Sequence, residues 1–145
     1  MKISTNTVNI LKNFAKINPS IVISEGNTLK TISPSKTIMA KAKVDTQFDK
    51  RFAIYNLDRF ISTMGLFNDP ELKFGDKSVI ISDNNKKSQY TYADESTVTK
   101  APDKEIGLPT VDVTFTITND NLRTLRRQLA FLPFPRLLLS AMARL

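Results

Sequence analysis

The stretch MKISTNTVNILKNFAKINPS (residues 1–20) predicts how the fold begins. Its apolar side chains recur at helical spacing, which predicts an amphipathic helix over residues 6–17. Ser4 precedes that helix, and serine side chains accept hydrogen bonds from the free backbone amides of a first turn, so we expect Ser4 to be the N-cap. The run NPS at residues 18–20 ends the helix, because proline disfavours helical backbone at the residue before it. A short strand is expected over residues 2–4.

The polar side of this first helix carries Asn9, Lys12, Asn13 and Lys16. Lys12 and Lys16 are four residues apart, so their ammonium groups project from one side of the helix. A face of this composition is either simply solvated or a contact surface for an anionic partner.

Short runs with strand character follow, separated by turn residues. They predict seven strands, over residues 21–24, 28–32, 37–44, 51–55, 71–74, 78–82 and 88–93, with turns at residues 25–27 and 33–35. Alternation in the third strand places Ile38 on its buried face. A second helix is expected over residues 57–67, with Asn56 as its N-cap. This mixture of helices and strands indicates an α+β fold.

The aromatic side chains fall at positions that are typical of a packed core. We therefore interpret them as packing residues and not as platforms for stacked bases. They are Phe48, Phe52, Tyr55, Phe60, Phe67, Phe74, Tyr90 and Tyr92.

The chain changes character after the seventh strand. A polar connector over residues 94–109 leads to a strand over 110–118 and a third helix over 121–132, capped by Asn119 or Asp120. A strand followed by a helix repeats the opening order, which suggests that a second copy of one domain plan begins here. We therefore divide the chain into a first domain with its connector (1–109), the start of a second domain (110–132) and an atypical apolar tail (133–145) that is truncated or out of frame.

Charge and composition exclude several classes of protein. The net charge is +7, but residues 121–145 contribute five arginines and no acidic residue, which leaves only +2 for residues 1–120. The chain has no cysteine, so it has no thiol nucleophile. It also has no histidine, the commonest general base and metal ligand in proteins. It also lacks a phosphate-binding glycine loop, a nucleophile elbow and an apolar run long enough for a membrane span. We predict that it is not an enzyme, uses no cofactor or metal, and does not enter a membrane.

Several separated blocks of the sequence resemble the sliding clamp of T-even-type bacteriophages, the DNA polymerase processivity factor. The first block is LKNFA at residues 11–15, and AIYNL at 53–57 and LFND at 66–69 follow at the spacing of that family. ADESTV at 93–98 is similar to its connector, and residues 114–127 are similar to the first strand and helix of its second domain. The resemblance covers residues 1–127.

The resemblance implies a DNA-clamp fold, in which each domain packs two helices on curved antiparallel β-sheets. It also implies a subunit that encircles duplex DNA as a homotrimer and tethers the replicative DNA polymerase for processive synthesis. A clamp loader is a further implied partner, and the cytoplasm of the infected bacterial host is the implied location. The second clamp domain is incomplete in this chain, so we interpret it as a truncated form whose trimer would require a complete second domain.

A clamp must hold DNA phosphates with basic side chains and without reading bases. The candidates on helix faces are Lys12, Lys16, Arg59, Arg123, Arg126 and Arg127. For any single one of them a solvated helix face is the simpler interpretation, and Asp58 partly offsets the charge of Arg59. Lys86 and Lys87 lie in a hairpin turn and are better interpreted as solubilising residues.

Two other functions remain open from the sequence. One is a small β-rich phage structural or assembly protein, and the other is a monomeric nucleic-acid-binding module with exposed aromatic side chains. For a clamp, the resemblance implies an apolar pocket for polymerase and loader peptides beside residues 101–110.

Overall fold

A computed structural model describes residues 1–104 and 116–129 of the chain. The chain divides into two units, Met1–Glu105 and Ile106–Leu145. The elements of the first unit are α1 (Thr5–Ala15), β1 (Ile21–Ile23), β2 (Gly26–Ile32), β3 (Met39–Phe48), β4 (Phe52–Ile54), α2 (Leu57–Met64), β5 (Glu71–Phe74), β6 (Ser78–Ser82), β7 (Lys87–Thr91) and a 3-10 turn (Glu95–Thr97). The second unit contains α3 (Asn119–Leu129).

Helix α1 begins where the sequence predicts, because a local side chain satisfies its first turn. The Ser4 hydroxyl accepts a hydrogen bond from the Thr7 backbone amide at 3.1 Å. The buried Thr7 hydroxyl lies 3.0 Å from that of Thr46, which ties the start of α1 to β3. The helix ends at Ala15, two residues before the predicted end, because the Lys16 amide already bonds back to the Asn13 carbonyl.

The strand predicted at residues 2–4 is wrong, since these residues belong to no strand. Their neighbour Met1 nevertheless pairs with β5. The Met1 amino group donates to the Leu72 carbonyl at 2.9 Å, and the Leu72 amide donates to the Met1 carbonyl at 2.8 Å. The opening segment therefore continues the sheet by one residue pair only.

Three antiparallel sheets surround the core. β1 pairs with β4, β2 pairs with β3, and β5, β6 and β7 form a meander in that order. A single bridge between Ala53 and Ala93 links the end of the meander to β4. Helix α1 packs against both α2 and β3. The α+β prediction is confirmed, and β5 and β6 have the predicted bounds.

The core lies where the two helices meet the sheets. Its apolar side chains come from every element of the first unit from α1 to β6, and they include Leu11, Phe14, Ile21, Ile23, Leu29, Val44, Phe48, Phe52, Ile54, Leu57, Phe60, Ile61, Met64, Leu72, Val79 and Ile81. Aromatic rings extend it, because Phe52 contacts Phe74 and Tyr92 with centroids 5.0 Å apart in each case. The interpretation of the aromatic residues as packing residues is wrong for Tyr55, which is 65% exposed.

Strand ends account for most of the other differences. β3 begins at Met39 and extends to Phe48, so it lies further along the chain than predicted. Ile38 therefore precedes the strand and is 56% exposed. The turn predicted at residues 25–27 is shorter, because Gly26 already starts β2. Gly26 has φ of +105°, a conformation that glycine adopts without steric cost, and the strand register shifts beside it.

Both remaining helices are displaced from their predicted bounds. Helix α2 has the predicted Asn56 cap, with the Arg59 amide donating to its side chain at 2.8 Å, but it ends at Met64 before Gly65. Helix α3 is capped by Thr118, whose hydroxyl accepts from the Asn121 amide at 3.2 Å, so the predicted Asn119 or Asp120 cap is wrong. Residues 116–118 form no strand. Residues 110–115 of that predicted strand and residues 130–145 lie outside the described residues.

Tyr92 makes the stability of the first unit sensitive to alkaline pH. Burial, with the nearby charge of Asp76, raises the pKa of its phenol to about 12. The unfolded-state pKa is about 10, so the folded state retains the proton while the unfolded state loses it. Stability that is present below pH 10 is therefore lost as the pH rises toward 12.

We expect the denaturant midpoint of the unmodified chain to fall between pH 10 and 12, and to fall less steeply in Tyr92→Phe. Because the phenol is partly exposed, the difference in unfolding free energy is smaller than the limiting ~1.4 kcal/mol per pH unit. Within the described residues the buried Tyr92 hydroxyl has no hydrogen-bond partner, so the substitution breaks no hydrogen bond, and the pH-dependent part of its effect reports the titration. Parallel pH profiles for the two proteins would contradict this origin of the pH dependence.

Candidate nucleic-acid interface

The outward face of α1 and its C-cap is built from hydrogen-bond donors, and none of its own residues is acidic, although the Asp45 carboxylate of β3 contacts Asn6 in the first turn. The exposed residues from the start of the helix to its cap are Thr5, Asn6, Asn9, Lys12, Asn13 and Lys16. The buried residues on the opposite side, Leu11 and Phe14, fix this orientation by packing into the core. Lys and Asn side chains are typical donors to phosphate oxygens, so this face is chemically suited to a polyanion.

Lys12 lies beside α2. It lines a groove of about 350 Å³ together with Val8 of α1, Ile61 and Met64 of α2, and Asp69, whose carboxylate pairs with Lys2. Lys16 lies one turn further along α1 from Lys12, at the C-cap of the helix, and is exposed. The structure therefore keeps the two predicted lysines together on one helix face.

Arg59 is exposed, but it does not join the two lysines. Successive residues of an α-helix are rotated by about 100°, so Arg59 lies about 200° from Ile61, on the flank of α2 that is turned away from the groove. The preceding residue, Asp58, is exposed as well and adds a negative charge to the same helix. The outer surface of α2 is therefore less suited to phosphate than that of α1.

The arginines of α3 fall on a helix that is exposed where it is described. Arg123 is 3.5 Å from the Asp120 carboxylate one turn earlier, which offsets part of its charge. Arg127 is exposed. The side chain of Arg126 lies outside the described residues, so only its place in the α3 backbone is known.

An ion-pair cluster that the sequence did not reveal holds the start of the connector. Arg51 donates from Nε and Nη2 to the two carboxylate oxygens of Glu95 at 2.8 and 2.9 Å. This contact lowers the pKa of the Glu95 carboxyl. Lys30 donates to the Asp103 carbonyl at 3.0 Å, so the connector is fastened at two points.

A buried amide adds a third point. Asn18 is 1% exposed, and its Nδ2 donates to the carbonyls of Ile32 at 2.8 Å and Thr99 at 3.0 Å. From the sequence, Asn18 was predicted only to end α1. Its partner Thr99 lies 81 residues further along the chain, and the residues around Asn18 carry no sign of that contact. Beside these contacts is a cavity of about 260 Å³ whose lining combines charged residues, among them Lys30, Arg51 and Lys100, with the apolar Val22 and Ala101. It does not have the apolar character expected of a peptide pocket near residue 101.

Metal sites and membrane spans are both absent from residues 1–104 and 116–129. No group of three or more acidic, histidine or cysteine side chains is arranged to hold a metal ion there. None of the helices in this part of the chain has the length and apolar content needed to cross a membrane.

Two helices packed together over antiparallel sheets, with a face of lysine and asparagine donors on α1, define an α+β domain of the sliding-clamp type. A family model described as DNA polymerase processivity factor matches residues 3–100, and the chain belongs to that family. The sliding clamp of Vibrio phage KVP40 is 36% identical over 111 residues, which are 76% of this chain and 50% of that protein.

Two other relatives cover more of the chain. The sliding clamps of Escherichia phage RB69 and Enterobacteria phage T4 are 34% and 33% identical over 129 residues, which are 88% of this chain and 56% of each relative. The chain thus spans about half the length of the curated relatives it matches.

Proposed function

We propose that this chain acts as a sliding-clamp subunit that encircles duplex DNA and tethers a replicative DNA polymerase for processive synthesis. The observation that carries the proposal is the outward face of α1, which presents Lys12 and Lys16 among neutral donors and has no acidic residue of its own. Membership of the processivity factor family supports the same role. The work of such a subunit is mechanical, so no catalytic residue is assigned.

The mechanism needs contacts that are strong enough to retain DNA and weak enough to move along it. Exposed lysines meet this requirement, because their ammonium groups attract phosphates without fixing a base sequence. We include Arg59, Arg123, Arg126 and Arg127 as further phosphate contacts of the assembled clamp. Among these, Arg59 and Arg123 have an acidic residue nearby and are expected to contribute least.

The remaining features of the proposal concern assembly and partners. Residues 1–109 form the first clamp domain with its connector, residues 110–132 belong to a second clamp domain, and residues 133–145 follow it. With a complete second domain the assembled form is a homotrimer, opened and closed on DNA by a clamp loader, in the cytoplasm of the infected bacterial host. The fastened connector supports this domain plan, because Arg51, Lys30 and Asn18 hold residues 95–103 against the first unit.

Charge reversal on α1 tests the DNA contact. Lys12→Glu with Lys16→Glu should weaken binding of a labelled duplex on the order of tenfold, because two phosphate contacts become repulsive. The slope of log K against log salt should fall in magnitude by about 1.8, measured by fluorescence anisotropy between about 50 and 200 mM salt. Two duplexes of unrelated sequence should give the same result.

Lys86→Glu with Lys87→Glu is the matched control, since it changes the net charge equally but at the turn before β7 (Lys86) and at the first residue of β7 (Lys87), which was predicted to lie in the turn. It should leave the salt slope close to that of the unmodified chain. Absence of duplex binding by the unmodified chain would refute the proposed function. Equal weakening by both double variants would mean that net charge, and not the α1 face, governs binding.

A further inference from the structure

We propose that Asn9 and Asn13 are uncharged contacts to the phosphates of the bound duplex, beside Lys12 and Lys16. The inference rests on the proposed function and deepens it, because it assigns part of the affinity to groups that carry no charge. We call the four residues Asn9, Lys12, Asn13 and Lys16 the donor strip.

The first support is that these two asparagines do nothing for the fold in which they lie. Asparagine is a poor residue for a helix interior, because its side chain competes for backbone hydrogen bonds and favours turns. Asn6 has a partner, since its Nδ2 donates to the Asp45 carboxylate at 3.2 Å. Within the described part of the chain, Asn9 and Asn13 make no such contact. Two exposed helix-weakening residues thus lack an internal role.

Their position is the second support. At about 100° per residue, the donor strip spans an arc of about 100°, in the order Lys12, Lys16, Asn9 and Asn13 around the helix axis. Along the helix axis the strip covers about 10 Å, at 1.5 Å per residue. Leu11 and Phe14 lie on the opposite side in the core, so the strip faces solvent. A surface that reaches Lys16 can also reach Asn9 and Asn13, which lie within about 60° of it around the helix axis.

Chemistry gives these amides a distinct part in binding. Each side-chain NH₂ offers two donors, and phosphate oxygens accept hydrogen bonds from asparagine as well as from lysine. A neutral donor releases no condensed counterion, so its contribution does not depend on salt concentration as that of lysine does. The strip therefore combines salt-dependent attraction by lysine with salt-independent contacts by asparagine.

Asn9→Ala with Asn13→Ala separates these two contributions. We expect duplex affinity to fall about fivefold or more, since each lost hydrogen bond accounts for a factor of roughly 2 to 10. The salt slope should remain that of the unmodified chain, whereas it falls by about 1.8 in Lys12→Glu with Lys16→Glu. Alanine is the better helix former, so the thermal midpoint should rise or stay constant, which distinguishes lost binding from lost folding.

The outcomes distinguish the inference from the function on which it rests. Duplex binding that is weakened by the lysine variant and unchanged by the alanine variant would overturn the role of Asn9 and Asn13 and leave the clamp function intact. A reduced salt slope in the alanine variant would also overturn it, because a neutral contact cannot change that slope. Lack of duplex binding by the unmodified chain would refute the proposed function and the inference together.

Discussion

Phe60→Ala is expected to lower the free energy of unfolding by about 3–5 kcal/mol, the range for truncating a buried phenylalanine. Phe60 lies on the inner side of α2 and is 1% exposed. Its ring meets that of Tyr90 edge to face, with centroids 5.2 Å apart. Alanine would leave a cavity between α2 and the β5–β7 sheet and remove this ring contact, and packed interiors relax only partly around such a void.

Urea unfolding followed by far-ultraviolet circular dichroism measures the effect, since the chain has no tryptophan. Total stabilities of about 5–15 kcal/mol are usual, so this one change removes a large share. Leu66→Ala is the matched control, because Leu66 follows the same helix but is 69% exposed, and it should cost less than about 0.5 kcal/mol. Similar costs for the two variants would show that α2 is not packed through Phe60.

Asn18→Leu is expected to cost about 2–4 kcal/mol, although leucine is close to asparagine in size and more apolar. The buried Asn18 side chain uses all of its hydrogen-bonding capacity. It donates to the carbonyls of Ile32 and Thr99, and its Oδ1 accepts from the backbone amide and the hydroxyl of Ser20, both at 3.0 Å. Leucine would leave buried backbone groups without partners, which costs more than a hydrogen bond normally contributes.

The same substitution should loosen the connector, because one of its three fastenings is lost. Amide hydrogen exchange around residues 97–100 should accelerate more than exchange in β6, whose bonds do not involve Asn18. Asn84→Leu provides the control, since Asn84 is exposed in the hairpin between β6 and β7. If the Asn18→Leu variant kept both its unfolding free energy and its exchange rates, the Thr99 contact would not be what holds the connector.

Features set by neighbouring residues were predictable from the sequence. Ser4 and Asn56 cap α1 and α2 as expected, because a cap depends on one side chain and an amide about three residues further along the chain. The meander of β5, β6 and β7 was also predictable. The turns between these strands are short, and strands joined by short turns pair antiparallel as hairpins.

The structure differs from the predictions where neighbouring residues could each cap the same helix, or where the exposure of a side chain depends on tertiary packing. Thr118, Asn119 and Asp120 can all cap a helix, and cap propensity favours asparagine and aspartate over the threonine that caps α3. Tyr55 follows a fully buried strand, but the chain turns into α2 there, so its ring projects into solvent. The alternation of apolar and polar residues predicts which side chains share a face of a strand. It does not predict at which residue the packing of other elements over that face ends.

The candidate interface was predictable in its chemistry and not in its arrangement. The polar face of α1 follows from helical periodicity, which is why Lys12 and Lys16 are found together. Which flank of α2 meets α1 depends on side-chain packing, so the separation of Arg59 from Lys12 had no signal in the sequence. The ion pair of Arg51 was not predictable from the sequence either, because its partner Glu95 is 44 residues away.

The contacts of Asn18 with Thr99, Met1 with Leu72 and Lys30 with Asp103 join residues that are 71 to 81 positions apart. Such long separations raise the contact order, and folding becomes slower as contact order rises. During translation, at about 5–20 residues per second, the first helix must wait several seconds for the segments that cover it. The nascent chain therefore exposes the apolar side of α1 on the ribosome long after that helix has been made.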